Sequence, residues 1–311
     1  MLITGGSGYI GSVLTGHFLK HGYKVSCLDN LMYGQKSLLS YFNDKNFDFI
    51  YGDARDEELM RKIVSKYDVI IPLAAIVGMA ACKLRPNDAI TTNKEAIIMI
   101  NKSRDAGQKL IYPNTNSGYG TKDGQTFCTE ETPLEPISLY GKTKCEAENH
   151  LMNDKKPAIV LRLATVFGAS PRMRTDLLVN NFVFRAMDDG ALLLFEKDFK
   201  RNFVHINDVA RCFQYCIENY DKMKNKVYNL GIDSANMSKF ELAKKIKEQI
   251  PNFEIICKDV GEGDLDKRNY IVSNKRLADA GFKAEITIEE GIKELIKTYG
   301  MLMRNSEYQN V

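Results

Sequence analysis

The stretch "LITGGSGYIG", residues 2 to 11, constrains the fold more than any other part of the chain. A short β-like run leads into a turn carrying Gly5, Gly6, Gly8 and Gly11, and a helix-like apolar segment follows near 10 to 20. The turn satisfies Gly-x-Gly-x-x-Gly through Gly6, Gly8 and Gly11, and Thr-Gly-x-x-Gly-x-x-Gly through Thr4, Gly5, Gly8 and Gly11. Glycines there permit a tight turn, let backbone approach a pyrophosphate and let helix pack closely on strand, while the helix N-terminus favours negative charge. Asp29 ends the next β-like run, "KVSCLD", 18 residues after Gly11. A carboxylate at that place accepts hydrogen bonds from an adenosine ribose and repels a 2′-phosphate, which favours NAD over NADP. In "GDARD", Asp53 follows the third β-like run, where it can reach an adenine amino group; capping of the next helix by Asp53 or Asp56 is the competing reading.

β-like runs alternate with helical patterns from the first residue: "MLIT", "KVSCLD", "FDFIYG", "DVIIPLAA", "QKLIYPNT" and "AIVLRLAT", with helix-like segments near 10–20, 56–65, 88–106 and 138–152. That rhythm predicts an α/β protein with a Rossmann-type, doubly wound parallel sheet. It breaks after about residue 163 and partly resumes at "NFVHI" and "KVYNLG". The expected division is therefore an NAD-binding domain of 1–162 and 202–230, with a smaller C-terminal α/β substrate domain of 163–201 and 231–311.

With 43 basic and 40 acidic residues the net charge is only +3, and no long single-sign run suggests a nucleic-acid or membrane-surface partner. No apolar stretch approaches the roughly 20 residues of a membrane span, and no signal peptide precedes the first strand, so a cytoplasmic location is expected. The cysteines, at 27, 82, 128, 145, 212, 216 and 257, form no CxxC pair, and His17, His21, His150 and His205 are scattered. No metal site is expected.

Tyr140 and Lys144 stand four apart in a helix-like segment and so share one face. A phenol with a reference pKa of about 10 becomes a usable base when a neighbouring ammonium and a cationic nicotinamide stabilise its phenolate. Tyr-x-x-x-Lys is common on protein surfaces, but here it follows a dinucleotide loop. "YGKTK" at 140–144 is not a phosphate loop, because the position five before Gly141 is Pro136. "PNTNSGYG", 113–120, packs Asn, Thr, Asn and Ser at a strand end; these are ordinary turn formers, and also a polar cluster between loop and base.

Thr4-Gly5-x-x-Gly8-x-x-Gly11, Asp29, "LAA" at 73–75, Asn93, Tyr119-Gly120 and Tyr140-Gly141-Lys142-Thr143-Lys144 together resemble the extended short-chain dehydrogenase/reductase family. More narrowly they resemble its NAD-dependent nucleotide-sugar epimerase/dehydratase branch, along essentially the whole chain. The resemblance implies that Thr115, four residues before Tyr119, hydrogen-bonds a sugar hydroxyl, that Tyr140 removes its proton, and that Lys144 orients the cofactor ribose and lowers the Tyr pKa. It implies a cofactor site of Gly5, Gly8, Tyr9, Ile10 and Gly11, then Asp29, Asn30, Asp53 and Ala54, then Leu73, Ala74, Ala75 and Asn93, with Tyr140 and Lys144; helix packing or capping is the competing reading for Asn93. Dehydratases of this branch carry Asp-Glu directly after the Thr; this chain has Asn116 and Ser117, neither of which shuttles protons at neutral pH. Dehydration is thereby disfavoured, as is decarboxylation, whose enzymes usually keep the Glu.

For the substrate the resemblance implies Val77, Thr115, Asn116 and Ser117, then Thr165 (where many relatives have Asn), Arg172, Arg174 and Asn180, and finally Arg201 and Arg268. The arginines are suited to a diphosphate; His205 and Asp208 are expected to pack and cap. The wording of "DNLMYGQ", "IPLAAIVG" and "ATVFGASPRMRTDLLVN" is similar to bacterial capsule-pathway enzymes that oxidise C4 of a GDP-linked heptose, as dehydrogenase or epimerase. The segments 88–106 and 138–152 resemble helices that pair across a homodimer in relatives. A dinucleotide-binding sensor without chemistry is the competing class; it would not need both Tyr140 and Lys144.

Overall fold

The computed structural model describes residues 1–258 and 268–302. Its main sheet has seven strands: β1 (Leu2–Thr4), β2 (Val25–Asp29), β3 (Phe47–Tyr51), β4 (Val69–Pro72), β5 (Lys109–Thr115), β6 (Ile159–Leu163) and β7 (Lys226–Leu230). They lie in the order β7-β6-β5-β4-β1-β2-β3, with every pairing parallel. Successive side chains of a strand point to opposite faces, so a parallel sheet covered on both sides must be apolar at consecutive positions. Ile3, Ile71, Ile111, Ile159 and Leu161 enter one core, with Leu14 and Phe18 of the helix Tyr9–Lys20 and Val209 and Phe213 of the helix Ile206–Glu218. Leu2, Ile70, Leu110 and Val160 enter the other, beneath Met60, Ile97 and Ala147 of the helices Glu57–Val64, Ala96–Ser103 and Leu139–Asn153. Each such buried aliphatic side chain contributes about 1.5–3 kcal/mol.

Strand order reverses between β1 and β4, which opens a crevice at the carboxyl ends of the strands. Gly5 there has φ of +72°, and a Cβ on it would come within 2.6 Å of the Ala74 nitrogen. A Cβ on Gly11 would sit 2.4 Å from the Gly5 oxygen. The bare Gly5 lets the β4 loop approach the turn, and the bare Gly11 lets the helix Tyr9–Lys20 do so.

The run "AIVLRLAT" divides: β6 ends at Leu163, and Thr165–Phe167 leaves the sheet. Thr165–Phe167 pairs with Lys200–His205, which also pairs antiparallel with Asn236–Ser238. "NFVHI", grouped above with the cofactor-binding part, thus lies in a separate three-stranded sheet, while Ile206–Glu218 after it packs on the main one. A third core, with Phe167, Phe182, Phe203, Leu242 and Leu295, underlies this half. The helix expected over 88–106 is interrupted: Pro86–Ile90, a wide π turn at Thr91–Glu95, then Ala96–Ser103.

A buried polar network joins the helix Leu139–Asn153 to the sheet. Arg162 on β6 pairs with Glu148 of Leu139–Asn153 at 2.5 Å, both about 5% exposed. Asn114 on β5 donates its amide to the same carboxylate. Arg162 also donates to the Tyr119 hydroxyl at 3.0 Å, which donates to Asn229 on β7 at 2.7 Å. Removing one member of such a pair strands the other without solvent, which costs about 3–5 kcal/mol. Glu148→Ala should destabilise the protein by about that amount in urea unfolding, and Glu148→Met with Arg162→Met should cost less than Glu148→Ala alone.

Candidate active site

The crevice holds a cavity of about 770 Å³ running from the glycine turn to the arginines of the C-terminal half. Gly5, Gly8, Tyr9, Ile10 and Gly11 line one end of it. Gly8 is the N-cap of Tyr9–Lys20 and supplies no side-chain hydrogen bond, so the first N–H groups of that helix are open to an anion. Asp29 accepts from the Ser7 and Leu31 N–H groups, both at 2.9 Å. Burial raises its pKa, and these two bonds work against the rise. The carboxylate therefore fixes the glycine turn as well as facing the cavity.

Asp53 lies farther along the wall and accepts from Arg55 at 2.7 Å and from Asn30 at 3.1 Å. The Arg55 hydrogen bonds hold its carboxyl down to about 2. Arg55 reaches Asp88 as well, at 2.7 Å, and it is Asp56 that caps the following helix, through the Leu59 N–H. Ala54, Leu73, Ala74, Ala75 and Val77 complete this apolar wall. A pyrophosphate-accepting helix end, a glycine cradle and a ribose-side carboxylate fit NAD.

At the other end of the crevice Thr115 terminates β5, and its hydroxyl accepts from the Ser117 N–H at 3.1 Å. Tyr140 and Lys144 sit in the first turns of Leu139–Asn153, which Ser138 caps by accepting from the Gly141 N–H at 3.1 Å. Thr115, Tyr140 and Lys144 all line the cavity. Lys144 is 3% exposed, and its ammonium nitrogen stands 4.0 Å from the Tyr112 ring centroid. Burial pushes the Tyr140 phenol up to about 12, with Arg174 and Arg268 pulling the other way. Burial also pulls Lys144 down to about 7. The charged form of each is thus disfavoured by the same lack of water.

Thr165, Arg172, Arg174, Arg201, Arg268 and Ser117 line the substrate half. Arg174 donates to Asp176 at 2.9 Å. Against the effect of burial, Arg174 keeps Asp176 below the usual carboxylate range. Arg172 stands over Tyr33 at 5.7 Å and Arg201 over Tyr270 at 5.4 Å. His205 and Asp208 do pack and cap: the His205 ring accepts from the Asn207 N–H at 3.3 Å, and Asp208 accepts from the N–H groups of Glu285 and Ile286.

Three expected site residues stand outside the cavity wall. Asn93, expected at the cofactor, is fully buried; its amide exchanges hydrogen bonds with Ile76 backbone at 2.8 and 3.0 Å and donates to Thr143 at 3.3 Å. The π turn places it as a clamp between the β4 loop and the catalytic-side helix. Asn180, expected at the substrate, is also fully buried; it accepts from the Gly168 N–H and donates to the Arg174 carbonyl at 2.9 Å. It shapes the arginine loop from behind. Asn116 is 1% exposed, and neither amide atom has a hydrogen-bond partner. The short 3₁₀ turn Asn116–Tyr119 sends Ser117 to the crevice and Asn116 into the protein.

Sequence reasoning missed Lys239, which lines the cavity while donating to the Phe195 carbonyl at 3.0 Å, and Asp176, which also lines it. Asp176 lies two residues after Arg174 inside the quoted arginine segment, whereas Lys239 belongs to no local motif and arrives through the packing of the C-terminal half. Among the described residues no group of three His, Cys, Asp or Glu could hold a metal, and no helix is long and apolar enough to cross a membrane. All seven cysteines are free thiols.

The description "NAD dependent epimerase/dehydratase family" matches residues 1–231. The low-salt glycan biosynthesis protein Agl12 of Haloferax volcanii is 25% identical over 96% of this chain and 98% of its own length. The dTDP-D-glucose 4,6-dehydratase of Mus musculus is 25% identical over 96% of this chain and 88% of its own. Among solved structures, UDP-glucose 4-epimerase of Thermotoga maritima with UDP-glucose has a TM-score of 0.81 at 25% identity, covering 97% of this chain and 99% of that one. The glycine cradle, the ribose-side carboxylate and these likenesses agree: the chain belongs to the NAD dependent epimerase/dehydratase family and is an NAD-dependent enzyme of the nucleotide-sugar kind.

Proposed function

We propose that the protein oxidises the C4 hydroxyl of a nucleotide sugar, with GDP-linked manno-heptose the favoured substrate, and releases the 4-keto sugar. The observation that carries this reading is the convergence of Thr115, Tyr140 and Lys144 on one cavity whose adjoining positions, Asn116 and Ser117, hold no acid or base. The preference for GDP-heptose comes from the wording of the substrate segments alone. NAD, when bound along the glycine turn, supplies the hydride acceptor. Thr115 holds the reacting hydroxyl, Tyr140 takes its proton as general base, and Lys144 steadies the phenolate and the ribose. Arg172, Arg174, Arg201 and Arg268 hold the diphosphate and so fix the sugar against Tyr140. The second reading, a 4-epimerase, shares every step to the ketone; the nucleotide-sugar 4-epimerase likeness favours it. We also read the helices Ala96–Ser103 and Leu139–Asn153 as the face of a homodimer, and the free thiols as suited to a cytoplasmic setting.

Purified protein incubated with NAD and a panel of nucleotide sugars should form NADH together with a 4-keto product; sugar inversion without net NADH assigns the epimerase instead, and no response from any sugar refutes both. Tyr140→Phe should retain NAD binding and lose about 10²–10⁴-fold in turnover, read from NADH absorbance.

Lys144 should show opposite effects on activity and stability. Its folded pKa of about 7 lies below the ordinary 10.5, so its burial penalty is fully present below about pH 7 and fades as pH rises toward 10.5. Lys144→Met should stabilise the cofactor-free protein at pH 6 by on the order of a few kcal/mol, and by less at pH 9, in urea unfolding. The same variant should move the pH–rate profile upward, because the phenolate loses its cation. In light scattering at micromolar concentration the dimer mass is expected, and a monomer counts against the pairing.

A further inference from the structure

We propose that Lys239 reads the base of the nucleotide sugar, and that the base it selects is guanine, through the adjacent O6 and N7 acceptors. The inference rests on the nucleotide-sugar reading above and deepens it.

Strand register sets the order of groups along the substrate half. Thr115 pairs with Leu163 at the end of β6, and Thr165, two residues on, pairs with Phe203. Arg201 lies two residues back along Lys200–His205, about 7 Å from the level of Phe203. Phe199 is two residues farther, about 13 Å from that level, and its carbonyl accepts from the Lys239 N–H at 3.3 Å. Thr165, Arg201 and Lys239 all line the one cavity. The diphosphate of a nucleotide sugar lies between sugar and nucleoside. A side chain one step beyond Arg201, on the side away from Thr115, therefore faces the nucleoside.

Lys239 occupies that place against the preference of its own helix. It is the first residue of Lys239–Gln249, directly after the Ser238 N-cap and its reciprocal partner Glu241. A helix N-terminus favours negative side chains, yet this one carries a lysine that is only 6% exposed. The Phe195 carbonyl, at the end of Ala191–Phe195, accepts from the ammonium at 3.0 Å and so gives the charge a fixed position.

An ammonium has three hydrogens to donate and no acceptor. Guanine offers O6 and N7 side by side on one edge, the pair that Lys and Arg contact most often when they read a base. Adenine sets its N6 amino group, a donor, beside N7, and cytosine carries the N4 amino donor. Uracil has the single acceptor O4 on the corresponding edge, as thymine does. A donor-only side chain thus selects guanine by two acceptors and is repelled by the adenine amino group. The guanine 2-amino group, on the other edge, takes no part.

The test titrates the full-length protein, loaded with NAD, with GDP, IDP, ADP and UDP by isothermal titration calorimetry. IDP keeps O6 and N7 but lacks the 2-amino group. Wild type should bind GDP and IDP about equally, and ADP and UDP about tenfold or more weaker, a difference of about 1.4 kcal/mol. Lys239→Met should bring GDP and IDP down to the ADP level, leave ADP nearly unchanged and retain NAD binding; Lys239→Arg, which keeps paired donors, should restore the preference. Equal weakening of all four diphosphates in Lys239→Met puts the ammonium on the phosphates and overturns the inference, as does a GDP preference that survives the substitution. A wild type that binds ADP or UDP as tightly as GDP overturns the inference together with the guanine part of the proposed substrate. The nucleotide-sugar assay above decides the C4 oxidation separately, so either reading can fail without the other.

Discussion

The ion pair of Arg162 and Glu148 is the joint on which the catalytic half depends. It ties β6 to the helix that carries Tyr140 and Lys144, and through Asn114 it ties that helix to the end of β5 that carries Thr115. Charges this buried are tolerated where hydrogen bonds offset their lost hydration, and here Arg162 donates to Tyr119 and the Glu130 carbonyl as well as to Glu148, while Tyr119 donates on to Asn229. Three segments are thereby held in one register, and of these partners Asn114 also lines the cavity, next to Thr115. Asn93 does the same from the other side, locking the β4 loop to the helix through Ile76 and Thr143.

Within that frame the candidate site is electrostatically uncomfortable. Burial raises the phenol of Tyr140 and lowers the ammonium of Lys144, so their ionised forms are both held back by lack of water. On the proposed reaction, a positive charge beside them would shift the balance toward phenolate. Nearby polar groups are fixed by their partners, Asp176 by Arg174 and Ser117 by Thr115 and Arg268. Such preorganisation is where stability is traded for function.

Much of this was legible along the chain, and the reason is locality. The turn needs Gly11 because turn and helix are consecutive, and Tyr140 and Lys144 share a face because a helix repeats every 3.6 residues. Asn116 and Ser117 show the limit: residue type excluded proton transfer at both, but only the 3₁₀ turn decided that one faces inward and the other the crevice. Asn93 was readable either as a cofactor neighbour or as a packing residue, and Asn180 as a substrate neighbour; both side chains hydrogen-bond backbone groups of neighbouring loops. "AIVLRLAT" read as one strand, yet Thr165 onward finds its partner in Lys200–His205, some 40 residues later.

The sequence by itself determined the parallel α/β fold, the dinucleotide turn with its acidic partner, and the chemical types available for catalysis, because each follows from short-range periodicity and side-chain chemistry. Tertiary structure alone decided which polar residues meet. Arg268 reaches Ser117 across 151 positions, Lys239 arrives from the far half, and Glu148 reaches Arg162 from a helix packed on the sheet. No local pattern encodes those meetings, since they depend on how three separate cores pack the elements together.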